Sequence, residues 1–108
     1  MASQLNDQIE LLKNRLTQKF DTKQIIVFGS YAYGEPDTES DIDLCVVADF
    51  KEKRKIDFIR EIRRELLDLI SSPLDILVYN EKEFAERSNL KNTLEHKIVT
   101  EGIRVYGS

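Results

Sequence analysis

Three aspartates carry most of the chemistry open to this chain. Asp41 and Asp43 stand two apart at the head of an apolar run that ends in Cys45-Val46-Val47. On a strand, a spacing of two puts both carboxylates on one face, with Cα atoms about 7 Å apart. Carboxylates held in this way repel each other and favour a counterion. A hard divalent cation such as Mg²⁺ takes oxygen ligands and keeps water and phosphate oxygens in its remaining positions. Asp75 interrupts a second apolar run, Leu74 to Val78, where aspartate is disfavoured if the run is a strand. If the two runs are neighbouring strands, the three carboxylates can hold two metal ions roughly 4 Å apart, the arrangement used for in-line phosphoryl transfer. Gly29-Ser30 closes an earlier apolar run. Glycine lets backbone come close to a ligand. A helix starting at Ser30 would turn free N–H groups toward an anion such as phosphate, and the Ser30 hydroxyl adds a donor. Each feature also has an ordinary reading. Gly-Ser is a common turn pair, strand-starting aspartates are often solvated, and Asp75 after Pro73 is tenable as an exposed residue.

Positioning these groups is the task of the surrounding elements. Leu5, Ile9, Leu12 and Leu16 form one face of a first helix, with Ser3 as its cap. Gln24 to Phe28 reads as a buried strand, residues 30–40 as a turn or short helical turn and then a loop, and Asp41 to Val47 as a second strand. Lys53 to Ile70 is a long amphipathic helix. Its apolar stripe is expected at Ile56, Ile59, Ile62, Leu66 and Leu69 or Ile70, and Ser71-Ser72-Pro73 ends it. Leu74 to Tyr79 is a third strand. Asn80 caps a short helix through Glu86, and Leu90, Leu94 and Ile98 mark a last helix capped by Gly102. Ile103 to Tyr106 makes a short final strand. The expected fold is therefore α+β (α/β), a small mixed sheet with flanking helices.

A chain of 108 residues suits one domain spanning residues 1–108, with one core. The net charge of -4 gives no long-range attraction to phosphate backbones, so direct nucleic-acid binding is not expected on this ground. Arg54, Arg60, Arg63 and Arg64 could form a local basic face. Asp57, Glu61, Glu65 and Asp68 interleave with them at helix-pair spacing, which reads as a balanced, solvated face. Cys45, the single cysteine, lies in an apolar run and reads as a small buried hydrophobe. His96, the single histidine, reads as a surface or packing residue. There is no basic-then-apolar leader and no apolar stretch of bilayer length, so no membrane partner is expected and a cytoplasmic location is.

Taken together, Gly29-Ser30, ten intervening residues, Asp41-x-Asp43 and a later strand aspartate resemble the signature of the DNA polymerase β-like nucleotidyltransferases. The stretch Phe28-Gly-Ser-Tyr-Ala-Tyr-Gly-Glu-Pro-Asp-Thr-Glu-Ser-Asp-Ile-Asp-Leu44 is similar to the motif of the smallest members. These are the minimal nucleotidyltransferases, which include the MntA-type antitoxins paired with HEPN-domain toxins. The resemblance implies a polymerase β-like fold, with ATP as substrate and two Mg²⁺ ions. It places the β- and γ-phosphates on Gly29 and Ser30, and the metals on Asp41, Asp43 and Asp75, which are also the catalytic residues. Many relatives carry a basic residue at one or both positions held here by Tyr31 and Tyr33, so triphosphate clamping would rest on Ser30, backbone and metal, or on an arginine elsewhere. The implied reaction is transfer of AMP to a tyrosine of a HEPN-type ribonuclease toxin. One core domain leaves little surface for a substrate domain of its own, so the acceptor is expected on another chain. Two alternatives stand beside this reading. One is a non-catalytic antitoxin that occludes its partner. The other is a homodimeric enzyme acting on a small hydroxyl compound in a shared cleft.

Overall fold

Alternation along three apolar strands builds two cores, one on each face of a single sheet. The computed structural model describes residues 2–29, 42–69 and 74–107, with side chains from residue 7 onward. Its elements are α1 (Ala2–Lys19), β1 (Thr22–Phe28), β2 (Ile42–Ala48), α2 (Lys55–Leu66), β3 (Leu74–Tyr79), α3 (Glu81–Ser88), α4 (Leu94–Glu101) and β4 (Ile103–Tyr106). The expected turn and loop at residues 30–40 lie outside the described residues, as do Ile70 and the Ser71-Ser72-Pro73 stop. The sheet runs β3-β2-β1-β4. β1 is antiparallel to β2 and β4, whereas β2 and β3 are parallel. A parallel pair needs a crossover, and α2 supplies it. The fold is thus a mixed α+β sheet with helices on both faces.

Ile25 and Val27 of β1, Ile42, Leu44 and Val46 of β2, and Ile76 and Val78 of β3 enter one core. There they meet Ile9, Leu12 and Leu16 of α1 and Phe58, Ile62 and Leu66 of α2. The intervening residues Ile26, Phe28, Cys45, Val47 and Tyr79 enter the other core, with Phe84 of α3 and Ile98 of α4. Burial on both faces explains why the strands read as continuous apolar runs rather than alternating ones.

The structure corrects several local expectations. α1 begins at Ala2, so Ser3 lies inside the helix rather than capping it. α2 turns Phe58 inward and leaves Ile56 52% exposed. Phe58 stacks on Phe50 at 5.0 Å and meets Phe20 edge-on at 5.2 Å, an aromatic cluster that fixes the helix rotation. Ile62→Ala should therefore cost about 2–5 kcal/mol, and Ile56→Ala at most about 0.5 kcal/mol, as read by urea unfolding. Leu90 falls before α4 and is exposed, as is Leu94. The helix starts later because the Thr93 hydroxyl accepts a hydrogen bond from His96 N. Asn80 caps α3 as expected, accepting from Glu83 N at 2.7 Å. Gly102 does end α4, donating its N–H to Ile98 O at 2.9 Å, but with φ -75 rather than a left-handed turn. Its role is close approach: a Cβ there would stand 2.7 Å from Ile26 Cγ2.

Candidate active site

β1 ends where β2 and β3 begin, and Asp43 and Asp75 sit at that end of the sheet. Phe28 of β1 is the cross-strand partner of Asp43, and Asp43 is in turn the partner of Asp75. Residues opposite each other on neighbouring strands project to the same face, with strands about 4.8 Å apart. Asp43 and Asp75 therefore lie side by side on the face of Phe28, Cys45, Leu77 and Tyr79, the one covered by α3 and α4. Asp43 is half-buried and Asp75 is exposed.

Gly29 follows Phe28 directly, in the left-handed region at φ +78. A Cβ at this position would lie 2.9 Å from Asp43 Cγ and closer still to its Oδ2. Glycine is thus required twice over, by the backbone angle and by the carboxylate packed against it. Three of the five residues singled out from sequence, Gly29, Asp43 and Asp75, come together. The other two, Ser30 and Asp41, lie outside the described residues.

Sequence reasoning missed the polar group buried under the same face. Glu95 of α4 is only 6% exposed. Tyr79 Oη donates to its Oε2 at 2.8 Å, and Arg87 Nη1 stands 3.7 Å from its Oε1. Burial, and then the hydrogen bond to Glu95, raise the Tyr79 phenol well above its ordinary range. Burial, and secondarily Glu95, push the Cys45 thiol up to about 12. Cys45 is fully buried and packs as the small hydrophobe its apolar run suggests. His96 packs as expected, its Nδ1 lying 2.9 Å from Ser88 O. Tyr79→Phe removes the donor from a buried carboxylate and should cost about 1–3 kcal/mol in chemical unfolding. A hollow of about 450 Å³ lined by Phe20, Phe50 and Phe58 opens at the opposite end of the β1–β2 pair and takes no part in this site.

The sequence matches the nucleotidyltransferase domain family over residues 9–100. The chain belongs to that family. This nucleotidyltransferase is 31% identical, over 78 residues, to a provisionally named protein adenylyltransferase of Methanocaldococcus jannaschii, covering 72% of this chain and 78% of the relative. It is 29% identical, over 93 residues, to the protein adenylyltransferase MntA of Thermococcus cleftensis, covering 86% of this chain and 84% of that protein. Among solved structures, a crystal structure of a toxin–antitoxin with AMP-PNP superposes with a TM-score of 0.60 at 25% identity. The match covers 95% of this nucleotidyltransferase and 73% of that chain. Among the described residues, no helix is long and apolar enough to cross a membrane.

Proposed function

We propose that this nucleotidyltransferase moves AMP from ATP onto a hydroxyl of a partner protein, a tyrosine of a HEPN-type ribonuclease toxin, and so acts as the antitoxin. The observation that carries this reading is the rung at one end of the sheet, where Asp43 and Asp75 stand side by side and Gly29 leaves room for the Asp43 carboxylate. The names of the relatives, protein adenylyltransferase and a toxin–antitoxin with AMP-PNP, support the choice of nucleotide and of a protein acceptor.

Hard carboxylate oxygens are the donors that Mg²⁺ takes, so the residues present fit the ion. Asp41, Asp43 and Asp75 would hold two Mg²⁺ ions. When bound, the ions supply positive charge against the negative charge concentrated in the transition state. Gly29 and Ser30 hold the β- and γ-phosphates. The Asp75 carboxylate accepts a hydrogen bond from the acceptor hydroxyl and orients its oxygen toward the α-phosphorus. A bond from that oxygen to phosphorus forms as the bond to the β-phosphate oxygen breaks, the hydroxyl proton passes to the Asp75 carboxylate, and pyrophosphate leaves. No covalent bond to the enzyme is needed.

Four α-phosphate-labelled NTPs, each given with Mg²⁺ to the protein in a lysate of its native host, test the reading. The expected result is one labelled protein, from ATP alone, absent with Asp43→Asn and identified by mass. Neutralisation of the toxin by Asp43→Asn at the wild-type level would refute transfer and leave occlusion.

A further inference from the structure

The outer face of α2 keeps arginines that the neighbouring carboxylates do not balance. Asp57 lies 3.1 Å from Arg54 and only 3.9 Å from Arg60. Glu61 is taken by Lys53 at 2.7 Å, and Glu65 and Asp68 turn to Arg15 of α1 at 3.4 and 3.9 Å. Among the described residues, Arg63 and Arg64 reach no carboxylate. The balanced face read from the sequence is therefore balanced only at its first turn.

Apolar side chains stand in line with these arginines. Ile56, Arg60, Arg63 and Leu67 are spaced i, i+4, i+7 and i+11, one stripe of a helix. Leu67 continues the helical backbone and is 81% exposed. Scattered exposed leucines are ordinary. Two apolar residues bracketing Arg60, whose nearest carboxylate is 3.9 Å away, and Arg63, which meets no carboxylate among the described residues, make a recognition pattern: apolar anchors at helical spacing with guanidinium groups between, the side chain most suited to carboxylates at interfaces. A nucleic-acid backbone would make use of the arginines but not of Leu67, and the chain's charge of -4 opposes it.

We infer that this stripe docks an acidic amphipathic helix of a partner protein, with carboxylates facing Arg60, Arg63 and Arg64 and apolar side chains on Ile56 and Leu67. Arg63 Nη1 donates to Leu74 O at 3.0 Å, one residue before Asp75, so a protein lying along α2 reaches the end of the sheet where Asp75 stands, from the face opposite to that side chain. The inference rests on the proposed function only in taking the docked protein to be the acceptor.

The test compares the full-length wild type, Asp43→Asn, Arg60→Glu/Arg64→Glu and Ile56→Ser/Leu67→Ser. Each is tagged and used to retain protein from nuclease-treated native-host lysate. The retained protein is identified by mass and its affinity then measured with the purified pair. Wild type and Asp43→Asn should retain the same protein, with affinity falling as salt rises. Both stripe variants should bind it roughly tenfold or more weakly, with Mg²⁺-ATP binding and thermal unfolding unchanged. Wild-type affinity in both stripe variants would overturn the inference, as would wild type retaining no protein, or binding RNA through these arginines. A partner that docks as described but takes no label from any NTP would sink the transferase reading and leave the docking surface standing.

Discussion

Gly29→Ala is expected to lower kcat roughly a hundredfold or more, a loss fitting a catalytic group displaced by about 1 Å. Two effects act together. Alanine at φ +78 is strained by about 1–2 kcal/mol. Its Cβ also overlaps the Asp43 carboxylate, which must then leave the place where it stands beside Asp75. A double-mutant cycle separates them. In an Asp43→Ala background the carboxylate is gone and only the Cβ of residue 43 remains, at 3.3 Å, so Gly29→Ala should cost little beyond the backbone strain. In the wild-type background its cost, measured by urea unfolding, should be larger. Equal costs in the two backgrounds, or near-normal transfer by Gly29→Ala, would show that the contact with Asp43 does not set the site.

The site was readable from sequence to the extent that its residues are local in the chain. Gly29-Ser30 and Asp41-x-Asp43 make a short pattern whose residue types are unusual in their setting. Asp75 was a conditional choice, because nothing in its own segment tells which strand it adjoins. The parallel pairing of Asp43 with Asp75 settles that, and it depends on the crossover through α2. Where tertiary contacts outvote periodicity, the sequence misled. Of the expected inward stripe, Ile62 and Leu66 are buried and Ile59 packs against the core, but contacts with Phe20 and Phe50 bury Phe58 and leave Ile56 exposed. Leu90 and Leu94 extended a pattern across a helix start that the Thr93 cap defines. Glu95 could not be found, since a helical glutamate reads as solvated and its partners Tyr79 and Arg87 lie 16 and 8 positions away. The salt bridges of α2 show the same limit. Interleaved charges on one helix suggested mutual pairing, whereas Arg15 from α1 draws off two of the four carboxylates.

Asp75→Asn should separate stability from activity in opposite directions. Asp43 and Asp75 are directly opposed on adjacent strands, and like charges so placed destabilise a sheet. Asn keeps the size of Asp75 and removes its charge, so unfolding stability should rise by about 0.2–1 kcal/mol near neutral pH. That gain should fade as salt screens the pair, because Asp75 is exposed. Transfer should fall by roughly a hundredfold or more if Asp75 holds a metal ion and orients the acceptor hydroxyl as proposed. A fall in kcat with little change in ATP affinity is expected if Asp75 acts on the acceptor hydroxyl and its metal rather than on the triphosphate. A residue kept only to support the strand would show the reverse pattern, with stability lowered or level and kcat intact. A cost to the sheet from like charges set side by side would be accounted for by a role toward a substrate, and the opposite signs of the two changes test that role.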